Sequence, residues 1–149
     1  MGYYSSVGYV IEFKDKEQKE TFINLQKVKD DQVINDALME LVDDGDKMLG
    51  FHADGVKWYD DYSDVKVHHA FMNEAQKLFP DDVNWLFQRM GESDDDCESD
   101  TYGDNAWDLS DYVQMVRYVQ FNFKGSPVIQ REEKEDGNER ETEVSVASS

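Results

Sequence analysis

The chain has 149 residues, 39% of them hydrophobic and 13% aromatic, with 34 acidic against 15 basic side chains and a formal charge of -19. That length supports one cooperative core rather than two, and a field of that sign disfavours nucleic acid and anionic membranes while favouring basic surfaces and cations. One cysteine, Cys97, excludes an intramolecular disulfide framework.

In chain order, Val7, Tyr9, Ile11 and Phe13 alternate with Gly8, Val10 and Glu12, which predicts a first strand over residues 3–13 with one face on a core. Asp15, with Gln18 three residues on, reads as the cap of a helix carrying Phe22, Leu25 and Val28 to about Lys29. Asp30 and Asp31 interrupt the pattern, and Val33, Ala37, Leu38 and Leu41 resume it to about Val42 before Asp43-Asp44-Gly45-Asp46 ends it. Met48, Leu49 and Phe51 open a second strand. Asp54-Gly55 then predicts a two-residue hairpin with residues 56–59 returning antiparallel.

Ser63 or Asp64 caps a helix with Val67, Phe71, Ala75 and Leu78 on one face, stopped by Pro80. Residues 83–90 read as a strand. Residues 91–111 carry nine acids and no Lys or Arg, which predicts a long exposed loop. Residues 112–123 predict a closing strand. From Gly125 the chain holds seven acids, three bases and no aromatic residue, so 125–149 is expected to be a disordered acidic tail, leaving -15 on an acidic domain of residues 1–124.

This order predicts an α+β two-layer sandwich: a mainly antiparallel sheet of four or five strands with two or three helices on one face, in a ferredoxin-like or split β-α-β arrangement.

Candidate chemistry is sparse. Asp94, Asp96, Glu98 and Asp100 alternate like calcium ligands, yet counting from Asp94 puts Ser99 where a calcium loop needs Gly and Asn105 where it needs Glu. His52, His68 and His69 with one distant Cys97 lack zinc-ligand pairing, and adjacent histidines on a helix point about 100° apart. Cys97 sits among carboxylates, an environment that does not suit a nucleophile acting as an anion. Gly45, Gly50 and Gly55 lack the Lys of a phosphate loop. Met1-Gly2-Tyr3-Tyr4-Ser5-Ser6 matches a loose myristoylation pattern, but its aromatic residues open a strand and no polybasic second signal follows. No run reaches the roughly 18 to 20 apolar residues of a membrane span and the first residues lack a basic, apolar leader, so the expected location is cytoplasmic. These residues point to no enzyme, metal or cofactor.

Acids interleaved with aromatics read instead as a recognition surface. Its candidate partner-binding residues are Asp60, Asp61, Tyr62 and Asp64 in one segment, and Glu92, Asp94, Asp95, Asp96, Glu98, Asp100, Tyr102, Asp104, Trp107 and Asp108 in the other. The expected partner is a basic protein surface. Trp58 and Trp85 are expected in the core. A looser divalent-cation site and a plain interaction module or adaptor are the alternatives.

The stretch Phe87-Gln88-Arg89-Met90-Gly91-Glu92-Ser93-Asp94-Asp95-Asp96, with the acidity and short length, resembles small acidic accessory proteins of tailed bacteriophages, including anti-restriction and anti-CRISPR inhibitors. The resemblance implies a phage-encoded protein, acting in the host cytoplasm, that inhibits or modulates a host DNA- or RNA-handling protein, by DNA mimicry in some members. It assigns no role to individual positions.

Overall fold

The computed structural model describes residues 3–93, 95–115, 119–121, 123 and 125–128. Strand β1, Ser5–Glu12, is buried along almost its whole length, because both of its faces are covered rather than one. Asp15 caps helix α1, Lys16–Val28: the Gln18 N–H donates to Asp15 Oδ1 at 2.9 Å, and Gln18 Oε1 accepts the Lys14 N–H in return. Asp30, at φ 51°, ends this helix in the left-handed region. Asp31 starts α2, Gln32–Met39, accepting the N–H groups of Val33 and Ile34.

Val42–Asp44, expected at a helix end, form strand β2 and turn at Gly45 (φ 71°) into β3, Met48–Val56. The buried Lys19 of α1 fastens this turn, its Nζ lying 2.8 Å from Asp43 Oδ1 and 2.9 Å from Gly45 O. The hairpin expected at Asp54-Gly55 is absent: β3 runs straight through. Opposite Ser5 to Val7 of β1, β3 carries one extra residue, and Gly55 at φ 64° supplies the left-handed conformation of this bulge.

Helix α3, Ser63–Leu78, buries Val65, His68, Phe71, Met72 and Ala75, a face rotated from the expected one, which leaves Leu78 exposed. Strand β4, Asn84–Met90, follows as expected. The predicted acidic loop contains an edge strand, β5 (Cys97–Tyr102), and a 3-10 helix over Ala106–Asp111. The closing strand is instead a hairpin of β6, Val113–Met115, and β7, Val119–Phe121, forming a separate two-stranded sheet. Ser126–Pro127 (β8) pair with β2, so the sheet extends past residue 124; the rest of the expected tail, 129–149, lies outside the described residues.

The main sheet has the order β5-β4-β1-β3-β2-β8, with every adjacent pair antiparallel. Its central four strands realise two split β-α-β units, the ferredoxin-like connection pattern, with α1 and α2 linking β1 to β2 and α3 linking β3 to β4. The helices cover the face bearing Val7, Tyr9, Ile11, Leu49, Phe51, Trp85 and Phe87. On the opposite face Val10 and Leu86 pack with Leu109, Val113 and Val119, so the expected two layers carry a third, partial one. Glycine makes that approach possible: a Cβ on Gly8 would stand 2.8 Å from Val119 Cγ1, and one on Gly50 2.6 Å from Phe123 Cε2.

Candidate functional site

Strand alternation along β5 sets Glu98, Asp100 and Tyr102 toward the helical layer, opposite Arg89, Phe87 and Trp85 of β4. Cys97, Ser99 and Thr101 face the other way, and the Ser99 hydroxyl donates to Gln88 Oε1. Between β5 and α3 lies a cleft of about 280 Å³. Met72, Trp85 and Phe87 give it an apolar floor; Asp60, Glu98 and Asp100 stand around it with half-buried His69. Burial lowers the His69 pKa, and this outweighs the opposing pull of Asp60, Glu98 and Asp100. The imidazole is therefore held toward its neutral form while the charge of the cleft remains that of its carboxylates.

A neighbouring hollow of about 320 Å³ shares Asp60 and Glu98 and adds Tyr3, Trp58, Tyr59, Arg89 and Asp96. Here a single cation, Arg89, pairs with two of the three carboxylates. Arg89 Nη2 lies 2.8 Å from Asp96 Oδ1 and Nε 3.1 Å from Glu98 Oε1, and Nη1 donates to Ser5 Oγ. The Tyr3 hydroxyl donates to Asp96 Oδ2 at 2.5 Å, and the Tyr4 N–H donates to Glu92 Oε2. The Arg89 hydrogen bond, then the Tyr3 one, hold the Asp96 carboxyl below its usual pKa, and Asp96 in turn raises that of Arg89. Glu92 and Asp96, expected as free recognition groups, serve to pin the N-terminal segment against the β4–β5 connection.

The other candidates divide among different places. Asp61, Tyr62 and Asp64 border a hollow of about 600 Å³ with Asp36 of α2 and Glu40 just past its end. Tyr102 and Asp104 line another of about 660 Å³ with Glu12, Asp81, Asp82, Lys14 and Lys47, and the Tyr102 hydroxyl donates to Pro80 O. Trp107 is 57% exposed on the 3-10 helix beside exposed Asp108. Asp95 is exposed, and Asp94 lies outside the described residues.

Trp85 lies in the core, as expected. Trp58 follows β3 rather than lying on a strand, and its half-buried ring packs on Phe51, His68 and Phe87 while its buried Nε1 has no hydrogen-bond partner among the described residues. Sequence reasoning missed Arg89, Tyr3 and His69. It also missed the buried His68, which the helical series Val65, His68, Met72 and Ala75 would have placed on the inner face.

Among the described residues, no group of three or more His, Cys, Asp or Glu is arranged to hold a metal ion, and no helix is long and apolar enough to cross a membrane. Compared with known proteins, the chain matches no family model, no curated protein and no solved structure.

Proposed function

We propose that this is a non-enzymatic acidic binding protein that engages a basic surface of a partner protein through the cleft beside β5. The observation that carries the reading is the convergence of Asp60 and Asp100, beside the Arg89-paired Glu98, over an apolar floor of Trp85, Phe87 and Met72. Such a site suits a lysine or arginine side chain, whose alkyl stem packs on the floor and whose charge meets the carboxylates. The phage resemblance adds a setting: the partner is a host nucleic-acid-handling protein and binding inhibits or modulates it in the host cytoplasm. The acidic candidates fall in several groupings around α3, β5 and the 3-10 helix, so we favour recognition of a local basic site over imitation of a whole DNA duplex.

The test is affinity capture from bacterial lysate with the tagged full chain and with Asp60→Asn/Asp100→Asn, washed at low and high salt and identified by mass spectrometry. A partner that is kept by the native chain, released by salt and lost to the double variant supports the reading. A partner held equally by both chains places the contact elsewhere.

A further inference from the structure

The two margins of the main sheet differ. At one end β8 is two residues long; at the other, β5 runs for six residues and, among the described strands, pairs only with β4. No backbone hydrogen bond joins residues 97–102 to any other described segment, and the N–H of Thr101 is met by the carboxylate of its own neighbour, Asp100, at 2.9 Å. An edge of this kind presents a row of N–H and C=O groups to any extended chain that can approach it.

Charge decides which chain can. Residues 95–104 hold Asp95, Asp96, Glu98, Asp100 and Asp104 and no Lys or Arg. A second copy would bring the same -19 and set carboxylates against carboxylates across the new ladder. The chain's own residues 129–149, with seven acids against three bases, are repelled as well. The complementary occupant is an extended basic segment of another protein.

We propose that β5 accepts such a segment as an added strand: its main chain pairs along the free edge, and lysine or arginine side chains on one of its faces turn into the cleft of Asp60, Glu98 and Asp100. This rests on the basic-partner reading and specifies its mode. The main chain supplies affinity and the alternate side chains supply selection. The same carboxylates that deter self-pairing of the edge thus become its means of discrimination.

The test uses the full chain and fluorescent peptides of alternating lysine and threonine in three forms: unmodified, N-methylated at every lysine amide, and N-methylated at every threonine amide. Anisotropy at low salt measures affinity, and hydrogen exchange reads the amides of residues 97–102. Strand addition predicts that the unmodified peptide binds and slows exchange there. It also predicts that one methylated form, the one whose blocked amides face β5, binds at least about tenfold more weakly than the other. Equal binding of all three forms, with unchanged exchange in β5, overturns strand addition and leaves the basic-partner reading standing. If no peptide binds but a folded basic protein such as lysozyme does, strand addition is again overturned and the broader reading survives; if lysozyme fails too, both fall.

Discussion

The Tyr9 hydroxyl and His68 Nδ1 meet at 2.6 Å across 59 residues of sequence. His68 Nε2 in turn lies 2.8 Å from Glu40 Oε1, so a phenol, an imidazole and a carboxylate run from the interior to the surface. With Glu40 ionised as an acceptor, the network assigns the ring proton to Nε2 and leaves Nδ1 to accept from Tyr9. The ring itself is packed against Phe51, 4.0 Å away between centroids.

Tyr9→Phe is therefore expected to leave a buried imidazole nitrogen without a donor and to cost about 1–3 kcal/mol in urea unfolding near neutral pH. Burial, then Glu40, push the Tyr9 pKa well above the usual tyrosine value of 10.0. A group raised in the folded state contributes stability that is complete below its unfolded pKa and lost as pH rises toward the folded one. The native chain should lose stability above about pH 10 more steeply than Tyr9→Phe. Parallel alkaline limbs for the two would refute this account.

Asp96 gives the opposite sign. Its carboxyl is lowered from 3.8, so its contribution is present above that value and disappears as pH falls through the lower folded one. Asp96→Asn should destabilise the domain at neutral pH and flatten the acid limb of an unfolding series. Exposed Asp95→Asn should change neither; equal behaviour of the two would show that the Arg89 and Tyr3 contacts contribute nothing to stability.

Gly50→Ala tests the packing of the third, partial layer. The added methyl would meet Phe123 Cε2 at 2.6 Å and Phe121 Cζ at 2.7 Å, so a loss of about 1–3 kcal/mol is expected. Gly45→Ala, with nothing within 4 Å of the new carbon, isolates the backbone cost of φ 71°, about 1 kcal/mol. Guanidinium unfolding of the two variants separates crowding from conformation.

Asp31 accepts two N–H groups at the start of α2, and Asp31→Ala is expected to cost about 1 kcal/mol by thermal or chemical unfolding. An unchanged midpoint would mean that packing of Ala37 and Leu38 alone holds this short helix.

Local chemistry made much of the fold legible. The Asp15–Gln18 cap, the alternation of β1 and the Pro80 stop depend on neighbours within a few residues, and they lie where expected. Asp54-Gly55 was ambiguous for a physical reason: Gly at positive φ serves a turn and a bulge equally, and only pairing of Val56 with distant Ser5 selects the bulge. β5 escaped notice because an edge strand with solvated faces needs no apolar alternation. At the site, composition found Asp60, Glu98 and Asp100. It could not show that Arg89 of β4 pairs with Asp96 and also with Glu98, while Asp60 and Asp100 line the cleft beside that pair. The angular separation of adjacent histidines was informative, since His68 faces the core and His69 lines the cleft.

β1 lies between β3 and β4, under the helices on one side and the β6–β7 hairpin on the other. β1 emerges before the other described strands, and the second of its two sheet neighbours is complete only when synthesis has passed Met90. Contacts of such sequence separation slow folding, because closing the intervening chain costs entropy before the contacts form. Until then, Val7, Tyr9 and Ile11 can meet Ala53, Phe51 and Leu49 of β3 but not Arg89, Phe87 and Trp85 of β4. The growing chain is thus expected to acquire protease resistance in one late step after β4 emerges rather than by gradual accretion from its first residues.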